Sequence, residues 1–137
     1  LCYLFGEDFK KQGGGKILNT ASVASFFPGP KQPVYYASKA YVRSLSRALA
    51  HSMKPYGVTV TALHPGATKT SLFKEANAPQ HSQGADPKDV AQLGYDAMMS
   101  GKVEVTHGFS NKLLTNLFVR FLPYRIQATL VDKASDI

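Results

Sequence analysis

The stretch Lys16-Ile17-Leu18-Asn19-Thr20-Ala21-Ser22, followed after a helical segment by Val58-Thr59-Val60-Thr61-Ala62-Leu63, decides the fold. The first run is short and apolar before it turns polar. The second is β-branched or apolar throughout, as strands prefer. Between them, from Val34 to about Lys54, Ala37, Tyr41, Leu45, Ala48 and Ser52 recur at spacings of three and four. Ala40 and Leu49 flank this stripe, which is of the kind an amphipathic helix packs on a core. Pro33 stands where a helix start tolerates proline, and Pro55 and Gly57 end it. Two strands joined by a helical crossover are expected to run parallel.

Working outward, Leu1, Leu4, Phe5 and Phe9 read as a helix over residues 1–12, stopped by Gly13-Gly14-Gly15. Residues 67–86 are polar and irregular and read as a long loop of the kind that often serves as a lid. Asp86 caps and Pro87 opens a helix to about Met99, and Val103–Thr106 is a short strand. Residues 111–131 form a final amphipathic helical region interrupted by Pro123. Alternating strands and helices predict a parallel α/β sheet, with ligands bound at the carboxyl ends of the strands. The segments after Asn19 and after Leu63 both begin at such ends.

The 137 residues suffice for one domain, and with 44% hydrophobic and 18% charged residues they are neither disordered nor fibrous. The net charge of +7 comes from 16 scattered Lys and Arg with no run longer than Lys10-Lys11, so no nucleic-acid partner is expected. The single Cys2 rules out an internal disulfide framework and fits the cytoplasm. No secretory leader is legible, and no apolar run approaches the ~18 residues of a membrane span. His51, His64, His81 and His107 lack metal-ligand spacing, so no metal is expected and all four read as structural or exposed. No Gly-x-Ser-x-Gly elbow supports a hydrolase, and no carboxylate pair is placed for glycosidase chemistry.

Tyr35 and Lys39 lie four apart on the helix and therefore share a face. A phenol ordinarily ionises near pH ~10, and an adjacent ammonium favours its charged form. One turn of helix thus makes a general acid/base out of tyrosine. Spacing alone leaves Tyr36 open as well, because three residues also separate it from Lys39.

Three segments in order carry a resemblance: Asn19-Thr20-Ala21-Ser22, then thirteen residues later Tyr35-Tyr36-Ala37-Ser38-Lys39, then Pro65-Gly66-Ala67-Thr68-Lys69-Thr70. The chain resembles the short-chain dehydrogenase/reductase family, whose members show an Asn-x-Ser/Ala-Ser strand end, a Tyr-x-Ala-Ser-Lys helix and a Pro-Gly-x-x-x-Thr loop. The resemblance implies a Rossmann-like doubly wound parallel sheet, an NAD or NADP cofactor and a small carbonyl or alcohol substrate. It makes Tyr35 the acid/base, gives Lys39 the lowering of its pKa and the nicotinamide ribose, and gives Ser22 the substrate oxygen. Ser25 is a rival, but ten residues from Tyr35 it fits the spacing less well. Pro65, Gly66, Thr68 and Thr70 would approach the cofactor, Gly66 because it has no Cβ to keep the backbone away.

The family's Thr-Gly-x-x-x-Gly-x-Gly turn is not present; Gly13-Gly14-Gly15 precedes a strand and has the wrong spacing. The chain opens at Leu1 inside a mixed segment, so the whole of 1–137 reads as the carboxy-terminal part of one Rossmann domain, with the amino-terminal βαβ half missing. NAD and NADP are told apart in that half. The segment from Asp86 onward and Asn111-Lys112-Leu113-Leu114 resemble, more loosely, a DltE-like subgroup of oxidoreductases. The amphipathic tail, residues 111–137 with Arg120 and Arg125, would pack on its own domain, join a homo-oligomer, cover the substrate cleft or touch a membrane surface. Two other functions stand beside hydride transfer: a non-catalytic protein binding dinucleotide or a partner, and a membrane-associated reductase of a lipid.

Overall fold

A computed structural model describes residues 2–69 and 84–134. Helix α1 (Cys2–Lys11) leads through the glycine turn to strand β1 (Gly15–Thr20), followed by a 3-10 turn at Val23–Phe26 and helix α2 (Pro33–Met53). Strand β2 (Val58–His64), helix α3 (Pro87–Met99) and strand β3 (Glu104–Thr106) complete the α/β part. The sheet has the order β1-β2-β3, and both pairs are parallel. Gly15 lies opposite Val58 and Thr20 opposite Leu63, while Ala62 lies opposite Glu104 and His64 opposite Thr106.

The central strand explains the layers. Every residue of β2 except Thr59 is buried. Its side chains alternate, so Val58, Val60, Ala62 and His64 form one row. Val58 and Val60 pack with Met53, and Leu49 and Ala50 of α2, Phe9 of α1 and Ile17 join them. Leu63 points to the opposite face, where α3 lies close enough that a Cβ on Gly94 would meet its side chain at 2.8 Å. Val90 and Ala97 of α3 are buried. Asp86 caps α3 as expected, its carboxylate accepting from the Lys88 amide at 2.8 Å.

The stripe read on α2 is corrected. Ala37, Tyr41, Ala48 and Ser52 are exposed, and Leu45 is only half-buried. The packed face instead runs through Val42, Ser46, Leu49, Ala50 and Met53. The cause is Ser46, fully buried although polar: its hydroxyl donates to the Val42 carbonyl at 2.7 Å and accepts from the Asn19 side-chain amide at 3.0 Å. A satisfied serine can sit in a core where a pattern reading expects an apolar residue.

The tail also departs from one helix with a break. Helix α4 (Phe109–Leu113) passes through wider π-type turns at Leu114–Phe118 into α5 (Val119–Phe121), and α6 (Tyr124–Ala134) follows Pro123. The Gln127 amide donates to the carbonyls of Val119 and Leu122 at 3.0 and 2.8 Å, partners that an interrupted helix leaves open. Of the expected lid, residues 70–83 lie outside the described residues; its ends meet where Thr68 bridges Ala85.

Gly57, between α2 and β2, has φ +72°, and a Cβ there would stand 2.8 Å from the Gly13 carbonyl oxygen. Gly57→Ala is therefore expected to lower stability by more than about 1 kcal/mol in urea denaturation. An unchanged midpoint would contradict this account of the turn.

Candidate active site

In a β-α-β unit the crossing helix starts where the first strand ends, so the first turns of α2 lie at the carboxyl end of β1. Lys39 fastens this arrangement: its ammonium donates to the Thr20 carbonyl at 3.2 Å. The same ammonium lies 5.8 Å from the centre of the Tyr35 ring. Tyr35 is 41% exposed.

Tyr36 is different. A Cβ on Gly29 would fall 2.1 Å from the Tyr36 ring, so that ring lies directly on the glycine. Burial first, and the neighbouring Tyr35 second, push the Tyr36 phenol above its ordinary value of 10.0. Tyr36 is thus the more buried of the two rings and Tyr35 the more exposed.

Ser22 follows β1 as the chain leaves the sheet, with the adjoining Ala21 and Val23 amides still bonded to the carbonyls of Leu63 and Pro65 at 2.8 and 3.0 Å. Its hydroxyl caps the 3-10 turn, accepting from the Ala24 amide at 3.1 Å. The hydroxyl proton faces the Pro65 carbonyl at 3.5 Å, the outer limit of a hydrogen bond, and so is weakly held. Ser25, the rival, is committed elsewhere. It is buried, donates to the Ser22 carbonyl at 2.6 Å and lies 3.2 Å from His64 Nδ1.

The Pro65–Thr68 segment is shaped by its own bonds. The Thr68 hydroxyl donates to the Gly66 carbonyl at 3.0 Å, and the Ala67 carbonyl and Lys69 amide bond with Ala85. The amides of Gly66, Ala67 and Thr68 stand outside these bonds. Gly66 has a reason the sequence did not reveal: the space a Cβ would fill is occupied by the Asn111 amide, 2.3 Å away. Thr70 lies outside the described residues.

The sequence reading also missed a polar cluster beside this site. His64 is fully buried, with Nε2 3.2 Å from a Glu104 carboxylate oxygen and Nδ1 3.2 Å from the Ser22 carbonyl. Glu104 accepts from Arg43 Nε at 2.8 Å, and Arg47 stands 3.8 Å away. The Arg43 guanidinium lies 3.8 Å over the Phe26 ring, whose neighbour at 4.9 Å is the His64 ring. Burial alone would raise the Glu104 pKa, but hydrogen bonds from His64 and Arg43 and the charge of Arg43 outweigh it and hold the carboxyl at about 2.

With the site described, its relatives can be named. A family model described as short chain dehydrogenase matches residues 1–81. The NAD-dependent glycerol dehydrogenase of Listeria innocua is 37% identical over 94 residues, covering 69% of this chain and 36% of the relative. The 2-dehydro-3-deoxy-D-gluconate 5-dehydrogenase of Dickeya dadantii is 41% identical over 75 residues, 54% of this chain and 30% of that one. A short-chain dehydrogenase from Sphingobium yanoikuyae, solved in complex with NADPH, superposes with a TM-score of 0.74 at 22% identity over 99% of this chain and 51% of its own. The chain belongs to the short-chain dehydrogenase family, and its parallel α/β sheet is Rossmann-like. It spans about a third of the length of these curated relatives. The family model ends before Asp86, so it does not bear on the looser DltE-like likeness.

Because the folded Glu104 pKa is lowered to about 2 from 4.5, its contribution to stability is present above pH 4.5 and is lost as pH falls through 2. Glu104→Gln is expected to be less stable than wild type near pH 6 by on the order of 2 kcal/mol, allowing for its partial exposure, with the gap closing toward pH 2. Chemical denaturation across that range measures it. A gap independent of pH would contradict the ion-paired carboxylate.

Proposed function

We propose that the protein is an oxidoreductase that moves hydride between a nicotinamide dinucleotide, NAD or NADP, and a carbonyl or alcohol carbon of a small molecule. The observation that carries this reading is the Lys39 ammonium, held by the Thr20 carbonyl at 3.2 Å beside the exposed ring of Tyr35, at the strand end where Ser22 lies. Family membership supports it, as do the NAD-dependent and NADPH-bound proteins among the relatives.

The residues fit a dinucleotide's nicotinamide end by their donors. The Lys39 ammonium suits ribose hydroxyls, and the amides of Gly66, Ala67 and Thr68, with Pro65 shaping their turn, suit a carboxamide. The dinucleotide would supply or accept the hydride at its nicotinamide carbon. Tyr35 would pass a proton from its phenol to the substrate oxygen in reduction, and take one in oxidation. The weakly held Ser22 proton would be donated to the same substrate oxygen and polarise it. Thr70 would complete the cofactor contacts.

Tyr35→Phe and Ser22→Ala are each expected to lower kcat at least ~100-fold, since a positioned acid/base contributes about that much or more. The measurement is nicotinamide absorbance with the full protein on a ketone or alcohol panel. Wild-type rates in Tyr35→Phe would remove it from the role. Dinucleotide binding without turnover on any substrate would favour the non-catalytic alternative.

Two further parts of the reading concern surroundings. The lone Cys2 accords with a cytoplasmic protein. The tail leaves Phe121 75%, Tyr124 70% and Leu130 52% exposed, and none of the described helices is long and apolar enough to cross a membrane. Exposed apolar side chains such as these are expected to meet a second copy of the chain. Phe121→Asp with Leu130→Asp should halve the mass seen by light scattering without changing the thermal midpoint. An unchanged mass, with wild-type binding to anionic vesicles lost in the variant, would assign the tail to a lipid surface.

A further inference from the structure

The row of side chains on β2 that faces α2 begins with two valines and an alanine and ends with a fully buried histidine. An imidazole in a core needs partners at both nitrogens. His64 has them on opposite sides: Glu104 of β3 at Nε2, and the Ser22 carbonyl with the Ser25 hydroxyl at Nδ1, each at 3.2 Å. The Ser25 hydroxyl in turn donates to that same Ser22 carbonyl at 2.6 Å. Two side chains therefore converge on the peptide of the residue whose hydroxyl the reading above places on the substrate oxygen.

We propose that His64 is a positioning residue for Ser22, clamping its backbone together with Ser25 while Glu104, braced by Arg43, locks the imidazole ring. The inference rests on the proposed role of Ser22. Its physical content is geometric. Ser22 is extended, with φ −174° and ψ 161°, and its carbonyl accepts from the Ser25 hydroxyl of the 3-10 turn and lies 3.2 Å from the His64 Nδ1 of β2. A hydroxyl that must meet a substrate oxygen within a few tenths of an ångström gains from such a grip, because displacements of about 1 Å can cost on the order of 100-fold in rate.

Proton bookkeeping gives the arrangement a signature. A carboxylate only accepts, so Nε2 carries a proton toward Glu104. When Nδ1 also carries one, it donates to the Ser22 carbonyl, and Ser25 donates there too. When Nδ1 is bare it accepts, and it competes with the Ser22 carbonyl for the Ser25 proton. One proton on His64 thus changes how firmly Ser22 is held. The charged groups around the ring are Glu104 from β3 and, behind it, Arg43 and Arg47 from α2; the 3-10 turn contributes the uncharged Ser25 and Phe26.

The test compares kcat and dinucleotide KM of the full protein in wild type, Ser25→Ala, Glu104→Gln, His64→Asn and His64→Gln, with Ser22→Ala as reference. Ser25→Ala and Glu104→Gln should each lower kcat about tenfold and leave dinucleotide KM within about twofold. His64→Asn keeps a donor near the Nδ1 position and should retain more activity than His64→Gln. Should the histidine variants fail to fold, Ser25→Ala and Glu104→Gln decide alone. An inactive Ser22→Ala beside wild-type kcat in those two overturns the positioning role; a fully active Ser22→Ala overturns the reading of Ser22 itself, and this inference with it.

Discussion

The structure hangs on the burial of β2 on both of its faces. A parallel strand shut off from water on both sides must have a layer of helix on each, and it has them: α2 with α1 against Val58 and Val60, and α3 against Leu63. Once α2 is the crossover between β1 and β2, its first two turns stand at the carboxyl end of β1. That is where Tyr35, Lys39 and Ser22 must be if they are to act together. The bond from Lys39 to the Thr20 carbonyl then fixes helix against strand at the point of the proposed chemistry.

The same burial creates a difficulty at the end of the strand. The row that faces α2 continues into His64, and a polar ring there is tolerable only with every hydrogen-bonding atom engaged. Glu104, Arg43 and Ser25 do this. Such a network contributes less to net stability than an apolar filling of the same shape often would. What it supplies is a single allowed arrangement of the turn after β1. Stability and orientation are thus divided: Val58, Val60 and Met53 form the apolar core, and the polar end of the row directs Ser22.

Much of this was legible in the sequence, for physical reasons. β-branched runs, the Gly13–Gly15 break, Asp86-Pro87 and Pro123 are local signals, and each marks an element boundary within a few residues of the structure's. Helix period puts Tyr35 or Tyr36 on one face with Lys39, and it is the resemblance of the three motifs that names Tyr35, Lys39 and Ser22. Three things were not legible. The buried face of α2 was misassigned because Ser46 counts as polar until its hydroxyl's partners, Val42 and Asn19, are known. His64 read only as structural or exposed, because its strand pairing with Thr106 and its partner Glu104, forty residues away, are visible only in the assembled sheet. The reason for Gly66 lay in Asn111, again a distant contact. Local patterns carry the elements; satisfaction of buried polar atoms depends on the assembled sheet.

The central claim is that the carboxyl end of β1 and the start of α2 form a nicotinamide-handling site. A crystal structure of the full protein with a dinucleotide and an unreactive ketone tests it most directly. The account predicts ribose hydroxyls about 3 Å from Lys39 Nζ, and the ketone oxygen about 3 Å from both the Tyr35 and Ser22 hydroxyls. A nicotinamide ring bound away from Lys39, or a ketone oxygen out of reach of Tyr35, would contradict it.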